Sequence, residues 1–206
     1  MRENRYEREA GYALRYRDTR FLTGTGRRTD RRERAVLRRL LARASWQPGP
    51  WLDAPCGAGR MSAELPGPVV QLDRDPAMVR AAPGARPRVC ASAQQLPFAT
   101  DAFAGALCHR LLQHIPTAVE RIDILRELAR VTRGPIVVSF FDAASLQHLR
   151  RGLRNRLGRR RSGRSAVSRA MFARELEAAG LRLLALGSLC RYVSEQTLAL
   201  CLRQSA

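Results

Sequence analysis

The chain has 206 residues, with 37 Lys or Arg against 18 Asp or Glu and a formal net charge of +19. That length fits one domain with an arm or an insertion, and a 45% hydrophobic content is enough for a packed core. No run reaches the roughly 20 apolar residues of a membrane span, and every basic residue is arginine, which excludes Schiff-base and P-loop lysine chemistry. In chain order, residues 1–29 are polar and rich in Tyr and Arg, with Gly24 and Gly26 as a loop signal. Asp30 and Glu33 have the spacing of a capping box, and Val36, Leu37, Leu40, Leu41 and Ala44 follow at helical spacing. Gln47-Pro48-Gly49-Pro50 ends that helix. Strand and helix signals then alternate: Trp51–Ala54 a strand, Met61–Leu65 a helix, Val69–Asp73 a strand, and Pro76–Ala82 a helix with proline in its first turn. Arg88–Ala91 and Phe103–Cys108 are the third and fourth strands. Thr117 and Glu120 open a helix running to about Val131, and Ile136–Phe141 is an apolar run, broken only by Ser139, fit for a central strand. Ser168 caps a helix that Gly180 ends, and Leu181–Leu189 and Ser194–Leu202 close the chain as two strands. This alternation predicts an α/β fold whose mostly parallel sheet is covered by helices on both faces. Ligands of such sheets bind at the carboxyl ends of the strands, near the topological switch point.

The charge is unevenly placed. Residues 1–43 carry 14 Arg against 6 acids, a net of +8, and residues 143–164 carry 8 Arg against none, another +8. Residues 44–142, with 10 Arg and 9 acids, are nearly neutral. Two appendages of equal charge therefore flank a neutral middle. The expected organisation is an N-terminal basic arm and helix at 1–45, followed by the main domain at 46–206 with a basic insertion at 143–167. Five cysteines (56, 90, 108, 190 and 201) form no C-x-x-C pair. This odd number, with no apolar stretch at Met1–Glu9 to serve as a secretory signal, predicts reduced thiols in a cytoplasmic protein. Peripheral attachment at the inner membrane surface is a further expectation.

Three loops at successive strand ends carry the chemistry. Asp53-Ala54-Pro55-Cys56-Gly57-Ala58-Gly59 follows the first strand, and its glycines let a backbone approach a ligand closely. Asp53 would repel a phosphate and welcome a cationic or hydroxyl-bearing ligand. Asp73 ends the second strand, 14 residues after Gly59, and Ser92-Ala93 follows the third. Leu96-Pro97-Phe98 with Asp101 and Phe103 comes next, and then Arg110-Leu-Leu-Gln-His-Ile115. A dinucleotide fingerprint would need glycine at position 62, where Ser62 stands.

On these motifs the chain resembles class I S-adenosylmethionine-dependent methyltransferases from about residue 12 to residue 200. The resemblance implies a Rossmann-like seven-stranded sheet and S-adenosyl-L-methionine as cofactor. Asp53, Ala54, Pro55, Gly57 and Gly59 would hold its amino-acid end, and Asp73 its ribose hydroxyls, with Arg74 and Met78 beside them. Ser92 stands where the family usually has an Asp for the adenine amino group, and the backbone N–H of Ala93 would meet the ring. Ala104 likewise replaces a usual Asp. In the arm, the resemblance implies that Arg20 pairs with the methionine carboxylate and closes over the cofactor. The same Asp-Ala-Pro-Cys string occurs in RNA cytosine-5 methyltransferases, where the Cys is a nucleophile. That mechanism requires a separate cofactor loop upstream, and the first 50 residues contain none. No N/D-P-P-Y/F sequence follows the fourth strand, which argues against amino methylation of a base.

Methyl transfer is an in-line displacement that positioning can largely supply. A base is needed only for a hydroxyl, phenol or acidic carbon. His109, His114 and Asp142 are the candidate catalytic residues, with His109 packing against the cofactor as its other role. No metal is expected. The expected acceptor is a small molecule or a lipid- or sugar-linked compound methylated on oxygen or carbon. One alternative is a nucleic-acid (RNA) methyltransferase that uses the arginine-rich arm and insertion, and another is an inactive binding module. Within 143–164, Leu146, Leu149, Leu153 and Leu157 recur at helical spacing among arginines, a pattern suited to an anionic membrane surface.

Overall fold

The computed structural model describes residues 11–156, 164–190 and 192–204. Two helices, α1 (Tyr12–Thr19) and α2 (Gly24–Leu41), precede the first strand. The strands are β1 (Trp51–Asp53), β2 (Val69–Asp73), β3 (Arg88–Cys90), β4 (Gly105–Cys108), β5 (Ile136–Phe141), β6 (Leu181–Ser188) and β7 (Gln196–Arg203). The remaining helices are α3 (Pro76–Ala81), α4 (Ala118–Val131), α5 (Leu146–Arg156) and α6 (Arg169–Ala178). One seven-stranded sheet has the order β3-β2-β1-β4-β5-β7-β6. β1 to β5 run parallel, and β7 is antiparallel to both its neighbours. The order reverses between β1 and β4, so the crevice outside their carboxyl ends is the switch point.

Each face of the sheet buries one helical layer. Leu52, Ala106, Val138 and Phe140 pack with Leu125 and Leu128 of α4 and Phe172 and Leu176 of α6. Trp51, Leu107, Val137, Leu198 and Leu200 pack with Val36, Leu37, Leu40 and Leu41 of α2. Alternate residues of each strand serve opposite faces, as the two-residue period requires. Two cap signals hold as read: Thr117 Oγ1 accepts from Glu120 N at 3.3 Å, and Ser168 Oγ accepts from Met171 N at 3.2 Å.

Three local expectations change. Gly24 and Gly26 lie inside α2 rather than in a loop, because Gly26 lets the Arg20 carbonyl pack where a Cβ would collide. Asp30 and Glu33 are consequently mid-helix and spend their carboxylates on tertiary partners rather than a cap. The helix expected at Met61–Leu65 is a single 3-10 turn, Ser62–Glu64, because Pro66 disfavours a helical conformation at Leu65. Leu157 and the rest of residues 157–163 lie outside the described residues. Among those described, no helix is long and apolar enough to cross a membrane, and no group of His, Cys, Asp and Glu could hold a metal.

Candidate functional site

The loop after β1 is stitched into the switch point by its backbone. Ala54 N donates to Leu107 O at 2.9 Å and Cys56 N to Leu72 O at 2.8 Å, so it bridges β4 and β2. Gly57 has φ +53°, and a Cβ there would meet nothing within 4 Å. Gly59 has φ +73°, and its Cβ would lie 2.7 Å from Gln71 Nε2 and 2.9 Å from Ala82 Cβ. The two glycines therefore do different work. Gly59 is required for packing inside the protein, whereas Gly57 has open space beside its backbone.

Asp73 meets that backbone. Its Oδ2 accepts from Gly57 N at 2.8 Å and its Oδ1 from Asp75 N at 2.9 Å. Burial raises its pKa, with those two N–H groups pulling the other way. Each oxygen keeps acceptor capacity, as a ribose diol needs. Ala91 N donates to Asp73 O at 3.1 Å, which brings the β3 loop alongside. Ser92 in that loop is exposed, and its Oγ accepts from Gln94 N at 3.2 Å; Ala93 is half-buried beside it. Arg74 is exposed, Ala54 is buried and Pro55 is half-buried. Met78 is buried with Ala13, Ala58 and Ala81 against Tyr12 and Tyr16, so it supports the arm.

Asp53 is enclosed beneath the loop. Ser62 Oγ donates to its Oδ2 at 2.6 Å, and Gln71 Nε2 donates in turn to Ser62 Oγ at 2.8 Å. Burial pushes its pKa up to about 7. The structure thus gives this acid a loop-supporting place rather than the ligand-facing one expected from sequence. Cys56 is a buried thiol whose pKa is pushed well up by burial and by Asp53 and Asp73, which disfavours its thiolate.

The N-terminal arm closes on this loop. Arg17 Nη1 donates to Ala81 O at 3.0 Å, holding α1 to α3. Glu33 of α2, fully buried, lies 2.5 Å from Arg60 Nη2 and accepts from Arg110 Nε at 2.9 Å. Asp30 accepts from Arg60 at 2.5 Å and from Arg34 Nε at 2.8 Å. Glu64 receives Arg34 at 2.7 Å and Arg38 at 2.5 Å. Phe21, buried, lies under the Arg60 guanidinium, 4.1 Å from its ring centroid, with Arg110 at 5.4 Å. Arg60 directly follows Gly59, so the clamp fixes the glycine loop itself. Arg20 is exposed at the α1–α2 corner, its guanidinium 5.7 Å from the Tyr16 ring and 5.8 Å from Phe21. The sequence reading missed Glu33, Arg60 and Arg110. A usable signal was present: Asp30 and Glu33 are the only acids between Asp18 and Asp53.

The three catalytic candidates are dispersed. His109, buried at the end of β4, has Nε2 3.7 Å from Glu33 Oε1 and Nδ1 3.5 Å from Arg60 Nη2. Burial, with Arg60 and Arg110 adding to it, lowers its pKa well below the ordinary value, so the ring is neutral. It packs inside the clamp. Asp142 is buried and bound: Arg169 Nε donates to Oδ2 at 2.6 Å and Ala144 N to Oδ1 at 2.9 Å. Both of its oxygens are therefore engaged by protein groups. His114 is exposed at the end of a 3-10 turn. An open pocket between the carboxyl ends of α4, α6 and β7 lies at the opposite end of the strands, and its Arg126, Arg130 and Arg203 are all engaged by protein oxygens.

Residues 52–135 match a family model described as a methyltransferase domain. No curated protein matches the sequence. Among solved structures, the magnesium protoporphyrin IX methyltransferase of Synechocystis PCC 6803 with bound S-adenosylhomocysteine superposes with a TM-score of 0.70 at 18% identity, covering 95% of each chain. A protein from Pyrococcus horikoshii OT3 gives 0.68 at 18% identity, covering 93% of this chain and 99% of that one. A Haloferax volcanii putative methyltransferase, solved with the Trm112 activator, gives 0.65 at 16% identity, covering 87% and 95%.

Proposed function

We propose that the chain is a class I, Rossmann-like S-adenosylmethionine-dependent methyltransferase, as its methyltransferase-domain match and its fold support, and that it methylates oxygen or carbon on a small-molecule or lipid- or sugar-linked acceptor. Bound at the switch point, S-adenosylmethionine supplies a sulfonium methyl open to in-line displacement. Gly57 offers backbone to its amino-acid end, Asp73 accepts from its ribose hydroxyls, and Ser92 with the Ala93 N–H faces its adenine. The Glu33–Arg60–Arg110 clamp holds the glycine loop and excludes water from that side.

The observation that carries the acceptor reading is the engagement of both buried candidate bases. Asp142 is paired with Arg169, and His109 is neutral inside the clamp. Catalysis then rests on positioning and desolvation. The acceptor brings its own electron pair, as a carboxylate or an already ionised phenolate does.

Calorimetry with S-adenosylmethionine and S-adenosylhomocysteine is the first test, with saturable binding expected. Absence of binding at millimolar ligand would establish the inactive-module alternative instead. Transfer of labelled methyl groups is then measured across lipid-linked and soluble carboxylic acids, phenols and sugar-linked acceptors, with RNA in parallel. Incorporation into RNA alone overturns the small-acceptor reading.

A further inference from the structure

Helix α5 begins five residues after the carboxyl end of β5, beside the acceptor side of the crevice. Its leucines at positions i, i+3 and i+7 form a stripe that faces solvent: Leu146 is 41% exposed, Leu149 69% and Leu153 59%. A helix of a globular protein ordinarily turns such a stripe toward its core. The loop between β6 and β7 adds Tyr192, 60% exposed, and Val193, 50% exposed. The two segments are tied together. Leu146 N donates to Tyr192 O at 2.8 Å, Gln147 N to Val193 O at 3.1 Å, and Glu195 N to Gln147 Oε1 at 3.3 Å. Five exposed apolar side chains therefore share one face of the molecule. They account for five of the nine large exposed hydrophobics among the described residues. In sequence, the segment 143–164 that carries the stripe has eight arginines and no acid.

We infer that α5 and the Tyr192-Val193 loop form a docking face for an anionic phospholipid bilayer, at which the acceptor is collected. The composition selects this partner. Leucines with an interfacial tyrosine enter the boundary between headgroups and acyl chains, while flanking arginines meet anionic headgroups. A nucleic acid would use the arginines but leave the apolar groups without a partner. It would also find only Tyr192 among these residues as a stacking platform. The docking face rests on the lipid-linked reading of the acceptor. It would set the carboxyl end of β5, where Asp142 N donates to Glu195 O at 2.8 Å, toward the membrane surface.

The test is flotation of the full-length protein with phosphatidylglycerol vesicles and with phosphatidylcholine vesicles. Binding to the anionic vesicles at least ten-fold tighter than to the neutral ones is expected. The double variant Leu149→Ser/Leu153→Ser should lose at least ten-fold in vesicle affinity with an unchanged circular dichroism spectrum and unchanged S-adenosylmethionine binding. The single variant Leu149→Trp should show a blue shift of its fluorescence on adding anionic vesicles. Failure of the wild type to float, or equal flotation by the serine variant, overturns the docking face. Loss of self-association in light scattering as the effect of the serine variant also overturns it, in favour of a second copy as occupant. A protein that floats but binds no cofactor refutes the methyltransferase reading alone, and one that methylates soluble acceptors without floating refutes the docking alone.

Discussion

The two basic appendages carry the same net charge of +8 and use it in opposite ways. In the N-terminal arm, Asp30 and Glu33 answer the arginines, and Arg34 and Arg38 reach across to Glu64. The apolar stripe of α2 is buried against the sheet. The insertion holds no acid within its own sequence beside its eight arginines, and the stripe of α5 faces solvent. Net charge alone thus says little about partners. The direction of the apolar face and the presence of internal acids decide whether a basic helix is part of the fold or an interface.

The sharpest way to break this contrast is Glu33→Ala, which strands Arg60 and Arg110 beneath the arm. A loss of about 3–5 kcal/mol in unfolding free energy is expected, as for breaking a buried ion pair, together with weaker cofactor binding. Urea unfolding and calorimetry check both, and a change below about 1 kcal/mol would show that the clamp is ornamental. Next comes the glycine pair in the loop that the arm holds. Gly59→Ala should cost about 2–3 kcal/mol from a positive φ combined with crowding. Gly57→Ala, with open space around it, should cost about 1 kcal/mol of stability and act chiefly on S-adenosylmethionine affinity. Equal losses in thermal melts would refute the division of labour between them.

A smaller effect concerns pH. The carboxyl of Asp53 is pushed up to about 7 by burial, against an ordinary 3.8. The folded protein therefore retains a proton that the unfolded chain has already released. The stability this group contributes is full below the unfolded value and is lost as pH rises through about 7. Asp53→Asn should therefore flatten the decline in Tm between about pH 5 and pH 8, and parallel melting curves for the two proteins would contradict it. On the other side of the comparison, Leu149→Ser/Leu153→Ser should change Tm by less than about 0.5 kcal/mol equivalent, because the stripe has no packing to lose. His114→Ala should leave turnover unaltered, since its exposed side chain stands outside the clamp; a fall in turnover without a fall in cofactor affinity would restore it as a catalytic candidate.

Much of the fold was legible because it rests on local patterns. The β/α alternation gave the strand sequence, the apolar run Ile136–Phe141 is β5 to the residue, and the Thr117 and Ser168 caps bind as their spacing implies. The site was legible only where the backbone makes it. The turn glycines and the strand-end Asp73 can be read from spacing, because a tight turn after a strand has few solutions. The fates of side chains were not legible. Asp142 meets Arg169 27 residues on, and Glu33 meets Arg110 77 residues on. Nothing local distinguishes these acids from free ones.

The sequence by itself determined the α/β class, the order of its elements, the glycine loop and the uneven placement of charge, since each follows from short-range periodicity and composition. Only the tertiary structure decided which acids are enclosed, which arginines are answered and which leucine stripe faces outward. Those outcomes depend on what the folded chain brings within hydrogen-bonding distance, and on what desolvation then does to the groups left inside.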